Sequence, residues 1–150
     1  SQEKWIQTTC SGGTGRDQMF LIMQPEQRSS TGSRHVGVCG LTSIHWIHRS
    51  AELSYYTAKG HQTAVGAGFG LKVFRTLIRY AFDDLGLNRV FGDSFAPNTI
   101  ALQNLKELGF VTEGTLRQSY YKQGRYINSV IQSLLRDEYL QYRKDGAHGW

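Results

Sequence analysis

Long apolar runs are missing from this chain. The longest, such as residues 20–23 (FLIM), fall far short of the ~18 residues a transmembrane helix needs, so no membrane partner is expected. No charged-then-apolar leader opens the sequence, and its first residue is Ser1 rather than Met, so further sequence is expected upstream. Cysteine is scarce. Cys10 and Cys39 are the two present, and their spacing fits no zinc or redox pattern. Both are expected as free thiols in a cytoplasmic protein, with Cys39 packed inside. No histidine pair has the spacing or the carboxylate partner of a metal site, so no metal is expected. Repeats and linkers are also absent, and 150 residues suit one domain spanning 1–150.

What the chain has is a net charge of +5. That balance favours an anionic partner: nucleic acid, an anionic membrane or a polyphosphate cofactor. The basic residues are scattered from Arg16 to Lys144 rather than massed in one run, which weighs against nucleic acid. The same scatter weighs mildly against a polycationic substrate.

Residues 1–18 read as an irregular lead-in that includes the glycine-rich CSGGTGR at 10–16. Strands are predicted over 19–24, 35–44 and 51–58, with turns at 25–34 and 46–50. In the third strand Ala51, Leu53 and Tyr55 point one way, and Glu52, Ser54 and Tyr56 the other. A helix follows over 71–85, because Leu71, Phe74, Leu77, Ile78, Ala81, Phe82 and Leu85 recur at helical spacing. Gly86 supplies its left-handed stop, and Leu87 an apolar contact beyond it. Next come a strand over 89–95, a shorter helix capped by Asn98, and a strand over 110–115. In that helix Ala101, Leu105 and Leu108 form the buried stripe, and Gly109 is the stop. Residues 120–126 form a hairpin turning at Gln123-Gly124. Residues 127–135 fit a helix by spacing and a strand by β-branched content, and pattern alone does not decide. The chain after Glu138, 141–150 above all, reads as a polar, frayed tail.

Chemistry concentrates around Gly66-Ala67-Gly68-Phe69-Gly70. Alternate glycines let a backbone curl with its N–H groups inward, and the helix that follows adds free N–H groups and a positive dipole end. Together they suit a diphosphate. A lone G-x-G-x-G is also compatible with a dinucleotide turn or a merely flexible loop. The strands before it, however, look like an antiparallel meander rather than a βαβ unit.

Three segments carry a resemblance. IHRSAELSYY at 47–56, GAGFG at 66–70, and NTIALQNLKELGFVTEGTLRQSYYKQGRYINSVIQSLLRDEYL at 98–140 together resemble the GNAT superfamily of N-acetyltransferases. The similarity is greatest to the branch of ribosomal-protein N-terminal and spermidine acetyltransferases. The resemblance implies a mixed α/β (α+β) fold, in which a central, mostly antiparallel sheet is splayed at one parallel pair and flanked by helices. It implies acetyl-CoA as co-substrate, with its pantetheine arm along Tyr56 and Thr57. The diphosphate would sit on Val65, Gly66, Ala67, Gly68, Phe69, Gly70 and Leu71, and Asn98 near the thioester end. It implies direct attack by a primary amine, on a peptide N-terminus or a small molecule, through an oxyanion held by a backbone N–H. A homodimer is compatible with it. The alternatives are an acyl-CoA-binding module with weak or no catalysis, and an aminosugar, antibiotic or polyamine acetyltransferase.

Three departures from the family pattern stand out. Val65 replaces the usual Gln or Arg, which leaves diphosphate binding to backbone or to a displaced Gln62 or Lys72. Leu105 stands where many members carry a tyrosine acid. The family's opening strand and first helix have no counterpart before Trp5.

An attacking amine must be neutral, so something must take its proton. Glu52 is the candidate base, its pKa raised if its face is the wedge. The competing role is a structural carboxylate bonded to Arg49 or a neighbouring strand. Tyr121, or Tyr120, is a candidate replacement acid, against a role in aromatic packing. His45 and His48 flank Trp46 in a turn, at the acceptor or simply at the surface. Phe74, Phe82, Phe91, Phe95 and Phe110 are expected in the core.

Overall fold

In a computed structural model, residues 6–8, 17–25, 33–57 and 69–150 are described. Among the described residues seven strands build one sheet in the order β1-β2-β3-β4-β5-β7-β6. They are β1 (Ile6–Thr8), β2 (Gln18–Pro25), β3 (Ser33–His45), β4 (Ser50–Thr57), β5 (Arg89–Phe95), β6 (Val111–Lys122) and β7 (Arg125–Leu135). Every neighbouring pair is antiparallel except β4–β5. That pair is in register at Ser50–Arg89, Ala51–Val90 and Glu52–Phe91 and no further. Beyond Glu52 the two strands part, so the splayed sheet expected from the sequence is present.

Helix α1 (Phe69–Arg79) crosses from β4 to β5. Phe74, Leu77 and Ile78 are buried at the predicted spacing, joined by Val73. The predicted helix to residue 85 is corrected at its end, where Tyr80–Asp84 forms a π-helical turn. There Leu85 N–H donates to the Tyr80 carbonyl at 3.0 Å and Leu87 N–H to the Ala81 carbonyl at 2.9 Å. The wider turn leaves the Phe82 carbonyl to accept a hydrogen bond from the Arg136 guanidinium. Gly86 has φ of +63°, the left-handed stop expected there, and Leu87 beyond it is fully buried.

Helix α2 (Thr99–Glu107) is capped by Asn98, whose Oδ1 accepts from Ala101 N–H at 3.2 Å. It buries Leu105 and ends before Leu108 and Gly109, the latter at φ +89°. Leu41, Leu77, Ile78, Phe82, Leu87 and Leu134 meet in one core on the helical side of the sheet. Each such burial contributes about 1.5–3 kcal/mol.

Three further expectations are corrected, and one left open is resolved. Residues 1–18 are not wholly irregular, since Ile6–Thr8 pairs with β2; residues 10–16 lie outside the described residues. The strand over 110–115 and the arm of the hairpin are one strand, β6, bulged between Thr112 and Gly114 and between Leu116 and Tyr120. Its hairpin turns where predicted, with Gln123 and Gly124 at φ of 52° and 77°. The ambiguous 127–135 is strand β7, because it pairs with β5 on one side and β6 on the other.

The last correction concerns the chain's end, which is a helix, α3 (Arg136–Asp145), not a frayed tail. Glu138 Oε2 accepts from Leu135 N–H at 2.9 Å at its start. Tyr139 is fully buried, stacks on Phe82 at 4.9 Å between ring centroids and donates to Asp83 Oδ2 at 3.0 Å. Beyond the helix, Trp150 Nε1–H donates to the Leu108 carbonyl at 3.2 Å, and Arg75 Nη1 donates to the Gly149 carbonyl at 2.6 Å.

Candidate active site

Where β4 and β5 part, the facing edges of 53–57 and 92–95 have no strand partner in each other. Each therefore offers unpaired N–H and C=O groups, the arrangement that accepts an extended chain as an added strand. A cavity of about 200 Å³ occupies the parting, with Glu52 and Ser54 from β4, Gly92 and Asp93 from β5, and Leu105 from α2 in its wall.

Glu52 stands at the last paired rung. Burial is the main cause holding its carboxyl above the ordinary carboxylate range, and the negative charge of Asp93 adds to it. No hydrogen bond or ion pair links Glu52 to Arg49 among the described residues. Arg49 instead uses its carbonyl, which accepts from the N–H groups of Asn88 and Arg89 at 2.7 and 3.1 Å. Ser54 beside Glu52 is engaged with Thr42, Oγ to Oγ1 at 2.9 Å.

Leu105 is 4% exposed and seated against Gly92, where an added Cβ would lie 2.8 Å from its Cδ1. Leu105 thus forms an apolar wall of the cavity.

Tyr121 does not belong to this cavity. It is 67% exposed and meets the Tyr126 ring edge-on at 5.0 Å. The bulge between Leu116 and Tyr120 resets which side chains face β5, and Tyr120 is the one brought over. Its hydroxyl donates to Asp93 Oδ2 at 2.9 Å, and its ring meets Phe95 edge-on at 4.8 Å. That hydrogen bond, with some burial, raises the phenol's pKa. Tyr120 therefore keeps its proton for Asp93 and is a poor acid toward a leaving group.

Asp93 is the residue that sequence reasoning passed over. The signal was available in the register: Glu52 pairs with Phe91, so Asp93, two residues on, shares Glu52's face.

Tyr56 is exposed near the open end of β4, and Thr57 is its last residue. Phe69, Gly70 and Leu71 form the first turn of α1, whose leading N–H groups have no partner within the helix. Val65, Gly66, Ala67 and Gly68 lie outside the described residues, as does Gln62; Lys72 is exposed on α1. Asn98 Oδ1 is engaged in capping α2. His45 and His48 are exposed and stack on each other at 4.0 Å. Phe74, Phe82 and Phe110 are buried as expected, but Phe91 and Phe95 are only half-buried, on the face of the sheet away from the helices. No group of three or more metal-ligating side chains occurs among the described residues.

Three comparisons bear on this arrangement. A family model described as an acetyltransferase (GNAT) domain matches residues 1–111. The spermidine N(1)-acetyltransferase of Vibrio cholerae serotype O1 is 32% identical over 105 residues, 70% of this chain and 59% of that protein. The putative ribosomal N-acetyltransferase YdaF of Bacillus subtilis is 34% identical over 105 residues, 68% of this chain and 56% of that protein. The chain thus spans under three fifths of the length of each of these curated relatives. A dodecameric structure of the Vibrio cholerae spermidine N-acetyltransferase superposes with a TM-score of 0.74 at 28% identity, over 85% of this chain and 69% of that one.

Proposed function

This chain belongs to the GNAT acetyltransferase family, and on that premise we propose that it transfers an acetyl group from acetyl-CoA to a primary amine, with Glu52 as the general base. The observation that carries the proposal is the parting of β4 and β5, with a carboxyl of raised pKa at its apex and unpaired backbone along both edges. Acetyl-CoA supplies the acetyl thioester. The unpaired edge of β4 suits an extended amide-bearing arm, and the first turn of α1 suits a phosphate group, so both observed features fit that co-substrate.

The chain's own task is to handle the proton. Glu52 accepts one proton from the acceptor ammonium, the freed nitrogen lone pair forms the new C–N bond, the thiolate leaves with the C–S electrons, and the nitrogen gives its second, now excess, proton to solvent. Unpaired N–H groups on the β4 edge are available to donors' work where negative charge develops on the carbonyl oxygen. With Leu105 in the wall and Tyr120 committed to Asp93, solvent protonates the departing sulfur.

A small amine and a peptide N-terminus are both compatible acceptors, in keeping with the names of the two relatives. No helix among the described residues is long and apolar enough to cross a membrane, and a cytoplasmic setting belongs to the same proposal. Leu105 favours one rival, a module that binds an acyl-CoA without turning it over. A thiol-release screen across peptide N-termini, polyamines, aminosugars and aminoglycosides decides between them. Amine-dependent release is expected with at least one class; CoA binding without release from any class would establish the rival.

A further inference from the structure

The strand alternation that puts Glu52 at the cavity also divides its wall in two. Glu52 and Ser54 on β4 and Asp93 on β5 face away from the helices. Leu53, Tyr55 and Gly92 alternate with them and face the helices, where Phe74 of α1 and Ala101 and Leu105 of α2 complete the wall. Two contacts fix this second half. The Tyr55 ring meets Phe74 edge-on at 5.2 Å, and Leu105 lies so close over Gly92 that a Cβ there would sit 2.8 Å from its Cδ1. Ser94 is the polar exception. The half that holds the base is thus polar, and the half behind it is built from apolar and aromatic side chains of β4, α1 and α2.

A nitrogen that attacks from Glu52's side pushes the other substituents of the carbonyl carbon away from itself, toward the helices. The oxygen turns to backbone N–H groups and the sulfur stays with its arm, which leaves the acyl chain for the apolar half. A single methyl covers little of it. A methylene takes ~30 Å³, like a water in the liquid, and the cavity of about 200 Å³ has room for an acetyl group and two methylenes more. We propose that the half walled by Leu53, Phe74, Ala101 and Leu105 is an acyl pocket, and that the chain uses propionyl- and butyryl-CoA as donors beside acetyl-CoA, with Ala101 and Leu105 setting the chain length. This rests on the acetyl-transfer reading and extends its donor class. The bonds exchanged are the same: C–N forms, C–S breaks, the ammonium's two protons go to Glu52 and to solvent, and solvent protonates the thiolate. Each methylene brought from water into such a pocket is worth about fourfold in affinity.

Calorimetry with CoA and with acetyl-, propionyl-, butyryl- and hexanoyl-CoA tests the pocket without depending on turnover. Wild-type affinity is expected to rise about fourfold from acetyl to propionyl and again to butyryl, then to stop rising once the room is used. Leu105→Ala enlarges the pocket and should carry the rise on to hexanoyl-CoA. Ala101→Leu fills it and should bring the butyryl-to-acetyl affinity ratio to one or below. Leucine suits a helix and residue 101 is partly exposed, so this variant carries the test if a melting curve shows that Leu105→Ala does not fold. Thiol release with one accepted amine should follow the same order in kcat/KM, and release from acetyl-CoA alone would overturn the donor assignment. Wild-type affinity that is level or falls from acetyl to butyryl overturns the pocket, as does an Ala101→Leu protein with an unchanged ratio. Either result, with CoA and acetyl-CoA still bound, leaves acetyl transfer standing. No affinity for CoA at all would sink the acetyl-transfer reading and this inference with it.

Discussion

Glu52 carries a carboxyl that the folded chain makes more reluctant to ionise, first by burial and then by the charge of Asp93. The groups facing it are Asp93 on β5 and, through that residue, the Tyr120 hydroxyl on β6. A carboxyl whose folded pKa is raised contributes its full share of stability below its unfolded-state pKa, and loses it as pH rises through the folded value. At neutral pH the charged Glu52 therefore opposes folding. The expected melting temperature of Glu52→Gln at neutral pH is no lower than wild type, with any advantage shrinking as the pH falls through the carboxylate range. A clear drop at neutral pH would reveal a structural role. Cys39 shows burial acting alone: it is fully buried and its thiol is pushed up to about 12. In a Cys10→Ser background, a thiol reagent at neutral pH should modify Cys39 at the rate of global unfolding and no faster. At this scale alternation made Glu52 legible, because one strand's period is enough to find its face. Asp93 needed the register of a second strand, and Tyr120 needed the bulge at Gln118, whose φ is 52° and whose N–H donates to Asn128 at 2.8 Å. Neither long-range pairing is written in local pattern.

Among the elements, α1 and the cap of α2 were legible because each announces itself locally, by apolar spacing in one case and by Asn98 in the other. Helix α3 was not. Its sequence is mostly polar, and its anchors are distant: Phe82 and Asp83 beneath Tyr139, with Leu108 and Arg75 holding the residues that follow the helix. Such a segment is indistinguishable from a tail until its partners are in place. The two helix-ending glycines separate local from long-range control in a measurable way. Gly86 has φ +63° and open space where a Cβ would go, whereas at Gly109, with φ +89°, a Cβ would lie 2.5 Å from the Tyr142 ring. Gly86→Ala should cost about 1–2 kcal/mol, the left-handed penalty alone. Gly109→Ala should cost more, by about 1–3 kcal/mol of overpacking. Urea titrations of the two variants check the order; equal costs would mean that α3 does not pack on this stop.

For the whole molecule, the sheet is continuous except where one parallel pair opens, and the candidate chemistry collects at that opening. The family resemblance anticipated the splay because a strand, a glycine turn and a long helix must return the chain to a parallel neighbour. The sequence placed Leu105 in the buried stripe of α2, but not its seat against Gly92, which depends on a contact across two elements. The glycine turn at 66–70 remains a proposal about binding, with a direct check. Gly68→Val should weaken CoA affinity by about tenfold or more in calorimetry, through loss of close backbone approach. Unchanged affinity in a folded variant would remove the turn from the site.

The pH dependence of kcat/KM for wild type and Glu52→Gln, on one accepted amine, tests the central claim most directly. If Glu52 takes the amine's proton, the variant keeps its affinity for CoA and loses roughly 10²-fold in kcat/KM at neutral pH. The deficit then shrinks as rising pH supplies free amine. Two profiles that superimpose from neutral pH upward would contradict the account.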